Sequence, residues 1–202
     1  MVIVDGIPGW YSCPKFFQLA VDQAPNHATF VEAGVLFGSA SQGIAKMIEA
    51  SGKDIQLWML DAFDESRLSQ AARLIIQQHV AKHPPRTSVS SFRDTFEFFR
   101  RGRPHGADKH HVMQASSPQV AGVFGLGSLD LVFLDNTHAT EHVVHEIEVW
   151  RRRVKPGGLL AGKRAGIVDG QFVEHPGIYA ALDQVFHGKF ETTGQTDWYV
   201  RV

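Results

Sequence analysis

The feature that most constrains this chain is an apolar run over residues 29–37. It ends at Gly38 and carries a glycine-bearing turn, Glu32-Ala-Gly34-Val-Leu-Phe-Gly38-Ser39. A short run this apolar and rich in β-formers predicts a strand buried on both faces. Such a strand needs helices above and below it, which is the arrangement of a parallel sheet in an α/β chain. The glycines let the backbone approach a ligand closely. A following helix, capped by Ser39 or Ser41 and closed by Gly52, aims amide donors at the same place. The turn is not G-x-G-x-x-G, and an acid stands before its first glycine. Taken alone, it is also what a tightly packed strand-helix junction requires.

The rest of the chain repeats this alternation. Residues 55–60 and 129–134 are further buried strands, ending at Asp61 and Asp135, and 112–115 and 159–162 are shorter ones. Helical periodicity covers 14–24, 66–82, 92–101, 140–154 and 176–186, with Pro84-Pro85 and Pro156-Gly-Gly158 as stops. Two short strands, 189–194 and 197–202, finish the chain. The expectation is an α/β fold: a Rossmann-like three-layer sandwich with a mostly parallel seven-stranded sheet and an antiparallel last strand. With 202 residues, 44% of them apolar, the chain has enough for one sizeable core and too little for two. It is read as a single domain, with 1–28 as a lid and helix segment on a core of 29–202.

Bulk properties remove several classes. The net charge of −1 supplies no basic field, so nucleic acid is not an expected partner. The single cysteine, Cys13, excludes an intramolecular disulfide and a multi-cysteine zinc site, and suits a cytoplasmic location. No apolar run approaches the roughly 20 residues of a membrane span, so no membrane partner is expected. The first ten residues lack the basic start of a signal peptide.

Parallel sheets bind ligands beyond the carboxyl ends of their strands. There Asp61 suits hydrogen bonds to ribose hydroxyls, or serves as a loop acid. Asp135 and His138, three residues apart, pair a carboxylate with an imidazole able to take a proton near neutral pH; a solvated histidine is the plainer reading. Lys163 and Arg164 suit an anionic or polar substrate group, or simply face solvent. His138, His142 and His145 share a helical face, for which zinc is a lesser reading than a polar surface. The locally basic loop 100–111 is read as solvated. Phe92, Phe96 and Phe99 are read as core, as are Trp198 and Cys13.

Together, residues 30–41, Asp61, Leu129-Asp-Leu-Val-Phe-Leu-Asp-Asn-Thr-His138 and Lys155-Pro-Gly-Gly-Leu-Leu-Ala-Gly162 resemble the class I S-adenosylmethionine-dependent methyltransferases. The branch they look most like is that of small-molecule O-methyltransferases of sugar and natural-product pathways. The segment Ile7-Pro-Gly-Trp10 and the helix at 177–186 add to the likeness. The resemblance implies S-adenosyl-L-methionine as cofactor and a small-molecule hydroxyl as methyl acceptor. It implies that Glu32, Gly34, Gly38 and Ser39 line the methionine and ribose part, and that Asp61 holds the ribose. Ser116 stands where the family often has an acid facing the adenine, with Ser117 beside it. Asp135 falls near the methyl group, and His138 matches a position used as general base. Trp10 and Tyr11 would close over the site.

One departure matters. Metal-dependent members carry an acidic or His-Asp pair after the fifth strand, where this chain has Lys163-Arg164. Two cations repel magnesium rather than bind it. The expectation is therefore no metal, with Lys163 as a catalytic charge and Arg164 towards the substrate. A degenerate cofactor-binding protein of the same fold is the alternative. A nicotinamide-dependent oxidoreductase is disfavoured by the missing glycine fingerprint. A homo-oligomer is left open.

Overall fold

The computed structural model of the chain describes residues 2–4, 7–9, 11–64, 66, 73, 96, 97, 100, 101, 109–168 and 171–202. Ten strands fall among these residues: β1 Val2–Val4, β2 Ile7–Gly9, β3 Thr29–Ala33, β4 Gln56–Asp61, β5 His110–Gln114, β6 Leu129–Leu134, β7 Val154–Lys163, β8 Ala165–Val168, β9 Gln171–Glu174 and β10 Asp197–Arg201. The α-helices are α1 Pro14–Gln23, α2 Ser39–Ser51, α3 Ser117–Val120, α4 Thr140–Arg151 and α5 Pro176–Phe186.

The central sheet has the order β10-β7-β6-β3-β4-β5. Neighbours from β7 to β5 are parallel, and β10 is antiparallel to β7. β1 with β2, and β8 with β9, form separate antiparallel pairs. Among the described residues the sheet thus has six strands rather than the expected seven. The segment 189–194 makes a single bridge, Glu191 to Tyr199, and no strand. Asp197 explains this: its carboxylate accepts the Thr193 amide and hydroxyl, both at 2.7 Å, and so folds the segment into a local turn instead of a ladder.

Side-chain alternation sorts the sheet's residues into two layers. Phe30, Leu57, Met59, Leu131 and Phe133 pack with Phe16 and Phe17 of α1 and Ile44 and Ile48 of α2. Val31, Leu60, Val132 and Leu134 pack on the other face with Val143, Ile147 and Trp150 of α4 and Ile178 and Leu182 of α5. A strand buried on both faces is what the apolar runs predicted. Boundaries moved for local reasons. β3 ends at Ala33 because Gly34 takes φ 100°. Helix α4 stops at Arg151, and β7 starts at Val154 and runs through Pro156-Gly157-Gly158, with Gly157 at φ 81°. Most of the helices expected at 66–82 and 92–101, and most of the basic loop, lie outside the described residues. Phe96 is described, and it packs on Phe63 as a core residue would.

The chain runs outward from β3 through β4 to β5, then returns to the opposite side of β3 as β6. The reversal between β3 and β6 is the topological switch point, where a crevice opens beyond the strand ends. No described helix is long and apolar enough to cross a membrane.

Candidate active site

The turn after β3 lies at that crevice. Gly34 is held so close to β6 that a Cβ there would stand 2.4 Å from the Asp135 carbonyl oxygen. Only glycine suits this approach at φ 100°. Gly38, at φ 89°, precedes α2, and Ser39 opens the helix as a buried residue.

Glu32 points from β3 into the layer of α1 and α2, with only 2% of its surface exposed. Ser41 of α2 donates its hydroxyl to the carboxylate. Burial pushes the Glu32 carboxyl up to about 8, the Ser41 hydrogen bond opposes this, and the nearby Asp135 and Asp61 charges add to it. Near neutral pH the group is largely protonated.

Asp61, at the end of β4, grips the same turn. Its Oδ2 accepts the Val35 and Leu36 amides at 2.8 and 3.0 Å, and its Oδ1 accepts the Phe63 amide at 2.8 Å. Ala115 donates its amide to the Asp61 carbonyl at 2.8 Å, which brings half-buried Ser116 to this end of the sheet. Ser117 is buried in the opposite direction, where its hydroxyl accepts the Trp150 indole N–H at 2.9 Å.

Beyond β6 and β7, Lys163 Nζ stands 3.4 Å from Asp135 Oδ2; the two side chains are 7% and 21% exposed. Burial raises the Asp135 pKa, and Lys163 and His138 oppose that rise. Opposite charge in a partly dry site is worth far more than on a surface. His138 is exposed as a residue, yet its ring lies against that of His175, with centroids 3.9 Å apart. The loss of water around it lowers the His138 pKa, and Asp135 pulls the other way.

Arg164, next to Lys163, is turned elsewhere. Its guanidinium donates to the Asp197 and Gln195 carbonyls, both at 3.0 Å, and to Glu174 and the Tyr179 hydroxyl. It fastens α5 to the loop before β10 and has its donors engaged by the protein. Tyr11 packs flat over α2, so close that a Cβ at Gly43 would stand 2.6 Å from the ring. Its hydroxyl donates to Met47 Sδ at 3.6 Å. Trp10 lies outside the described residues. Cys13 is buried with its thiol pKa raised by burial, in the field of Lys163 and Asp135.

Glu32, Gly34, Asp61, Asp135, His138 and Lys163 thus gather at one end of the sheet, as their positions after strands predicted. His175 was not among the sequence candidates. It precedes the Pro176-Gly177 start of α5, and its meeting with His138 is a tertiary contact with no local signal. His142 and His145 are exposed on α4. No group of three or more His, Cys, Asp or Glu among the described residues could hold a metal ion.

The comparisons with known proteins fit this geometry. A family model described as a methyltransferase domain matches residues 31–163, from the Glu32 strand to Lys163. The chain belongs to this methyltransferase family. The expected resemblance to the class I methyltransferases is thereby met. No curated protein matches the chain in sequence. Among solved structures, the methyltransferase chain aligns with CalS11, a TDP-rhamnose 3'-O-methyltransferase of calicheamicin biosynthesis, at 15% identity and TM-score 0.54, covering 93% of this chain and 76% of that one. The O-methyltransferase NovP aligns at 15% identity and TM-score 0.56, covering 93% and 78%. A putative rRNA methylase from Clostridium thermocellum aligns at 10% identity and TM-score 0.51, covering 92% of each chain. At such identities the likeness is one of fold. A shared fold does not by itself choose the acceptor.

Proposed function

We propose that this methyltransferase uses S-adenosyl-L-methionine to methylate a hydroxyl of a small molecule, such as a sugar or natural product, and does so without a metal. The observation that carries the reading is the Lys163–Asp135 pair at 3.4 Å, buried at the end of the switch-point crevice. Metal-dependent members of the fold would hold a divalent cation at this place, and here an ammonium already neutralises the carboxylate.

The donor set fits the cofactor. Glu32 is a buried carboxyl suited to the methionine ammonium. Gly34 lets the turn after β3 pack directly on the Asp135 carbonyl, which holds that turn beside the end of β6. Asp61 and Ser116 stand at the ribose and adenine end, with Gly38 and Ser39 at the foot of α2. Ser117 contributes through packing, since Trp150 takes up its hydroxyl. When bound, S-adenosyl-L-methionine supplies a methyl group already activated on a sulfonium. What remains for the chain is alignment and proton removal.

His138 accepts the acceptor's hydroxyl proton. With its pKa held below the ordinary value, it is neutral and ready at physiological pH. Lys163 steadies negative charge developing on the acceptor oxygen, and Asp135 orients the ammonium. Tyr11, packed over Gly43 and Met47 of α2, closes the N-terminal side of the cofactor's place. Arg164 acts on the substrate side indirectly, by fastening α5 and the loop at 195–197.

Lys163–Asp135 also favours a second reading, a protein that binds the cofactor and transfers nothing, because a mutually satisfied pair needs no further ligand. Calorimetry with S-adenosylhomocysteine and with NAD, followed by methyl-transfer assays on sugar and phenolic acceptors, tests both. Binding of NAD alone sinks the methyltransferase mechanism. Binding of S-adenosylhomocysteine with no transfer to any acceptor selects the second reading. Transfer abolished by chelator and restored by magnesium sinks the metal-free one.

A further inference from the structure

The His138 and His175 imidazoles lie one against the other, with centroids 3.9 Å apart and planes inclined by 32°. The two residues sit at the starts of different helices: His138 just before α4, and His175 at the N-cap of α5. Two features hold those starts together. A Cβ at Gly177 would stand 2.1 Å from the His138 carbonyl oxygen and 3.2 Å from the Thr140 amide nitrogen, so the backbones meet as only glycine permits. The helices behind them share one core, through Val143 and Ile147 on α4 and Ile178 and Leu182 on α5.

The His175 backbone is fixed as well. Its amide donates to the Arg164 carbonyl at 3.0 Å, and its carbonyl accepts the Ile178 amide at 3.0 Å. Arg164 in turn is tied by its side chain to the carbonyls of Gln195 and Asp197. His175 is therefore a ring on a rigid corner. His138, by contrast, is a residue open to solvent, whose imidazole would otherwise sample several rotamers.

We propose that His175 is a positioning residue for His138, packing on its imidazole so that the ring faces the acceptor at the carboxyl end of β6. The inference rests on the reading of His138 as the proton acceptor. The charged groups facing the pair are Asp135 after β6 and Lys163 at the end of β7. Desolvation, with His138 and Lys163 adding to it, lowers the His175 pKa to about 4. At neutral pH His175 is thus an uncharged plate, and it gives His138 a dry face without a competing proton.

The test compares His175→Ala, which removes the plate, with His175→Phe, which keeps it and removes the nitrogens. Two readouts are used: methyl-transfer kinetics, and NMR titration of the His138 ring in the full chain. His175→Ala is expected to lower kcat roughly 10- to 100-fold, the penalty of a misplaced catalytic group. S-adenosylhomocysteine affinity should stay unchanged, and the His138 titration should move up towards an ordinary imidazole. His175→Phe is expected to restore most of kcat and to leave His138 titrating low. The inference is overturned if His175→Ala keeps kcat within about twofold of wild type, if the His138 titration does not move, or if His175→Phe is as damaged as His175→Ala. A wild-type chain that binds no S-adenosylhomocysteine sinks the functional reading instead, and the NMR arm then decides the pairing of the two rings alone.

Discussion

Lys163 Nζ and Asp135 Oδ2 stand 3.4 Å apart, across the ends of two neighbouring parallel strands. This contact joins the acid after β6 to the first residue of the pair that in metal-dependent relatives would be acidic. A buried carboxylate next to a lysine has its charge balanced within the protein, and a divalent cation at the same place would have to displace or face that lysine. Methyl transfer is therefore expected to continue undiminished in a strong chelator, and added magnesium to leave it unchanged. Lys163→Met should lower kcat by about 10² if the ammonium stabilises charge in the transition state. Turnover assays with and without chelator check both expectations.

Glu32 carries its own pH dependence. Its carboxyl is raised from 4.5 to about 8 by burial. The folded chain therefore holds a proton that the unfolded chain releases at lower pH. Stability from this group is fully present below about 4.5 and is lost as pH rises towards about 8. Cofactor binding has the opposite sign. An ammonium placed at Glu32 favours the ionised carboxylate, so binding below that value releases a proton, and affinity rises as pH approaches it. Calorimetry in buffers of different ionisation enthalpy measures the released proton, and Glu32→Gln should abolish it.

The parts of this site that follow from local pattern were legible in the sequence. Apolar strands buried on both faces belong to a parallel sheet, whose ligand-binding crevice lies beyond their carboxyl ends. Glu32, Asp61, Asp135 and Lys163 could be placed there because each lies in or just after such a strand. What was not legible depends on where side chains turn once packed. Arg164 follows Lys163 directly, yet alternation sends one into the crevice and the other to the carbonyls of Gln195 and Asp197. Ser117 follows Ser116, yet its hydroxyl faces Trp150 in the core. His175 meets His138 only because α4 and α5 share a core layer. The segment 189–194 has the composition of a strand, but Asp197 captures Thr193 first.

His138 is expected to be the most sensitive titratable residue of the reaction. His138→Ala should reduce kcat by about 10² to 10⁴, with little change in cofactor affinity, because a general base acts on the acceptor and not on the donor. Its pKa is lowered by burial, so the acidic limb of the kcat profile should fall below the range of an ordinary imidazole. Steady-state kinetics across pH, with S-adenosylhomocysteine binding measured beside it, separate the two effects.

Gly34→Ala tests the crevice itself. The new methyl would stand 2.4 Å from the Asp135 carbonyl oxygen, at a φ of 100° that L-residues avoid. Strain of this kind costs about 1–3 kcal/mol, and relief requires β6 and the turn after β3 to part. Thermal unfolding should show the lost stability. Cofactor affinity should fall further than stability alone explains, because both walls of the crevice move.

Asp61 has two tasks, and they can be separated. Its Oδ2 accepts the Val35 and Leu36 amides and its Oδ1 the Phe63 amide, so it already orders the turn that the cofactor would touch. Leu36 takes φ 53° there, a conformation that a leucine keeps only when its surroundings hold it. Asp61→Ala removes three acceptor bonds, to groups that then turn to water or to one another. Asp61→Asn keeps one carbonyl acceptor and loses the charge. If Asp61 serves mainly as the clamp, Asp61→Asn should retain much of the order of the turn, and hydrogen exchange at Val35 and Leu36 should accelerate chiefly in Asp61→Ala. If it also binds ribose hydroxyls, both variants should lose cofactor affinity, by roughly 10-fold or more for a charged hydrogen-bond acceptor, even where exchange is unchanged. Hydrogen exchange on the free protein, set beside S-adenosylhomocysteine calorimetry on both variants, distinguishes the two. Slow exchange in Asp61→Asn combined with wild-type affinity would confine Asp61 to the clamp.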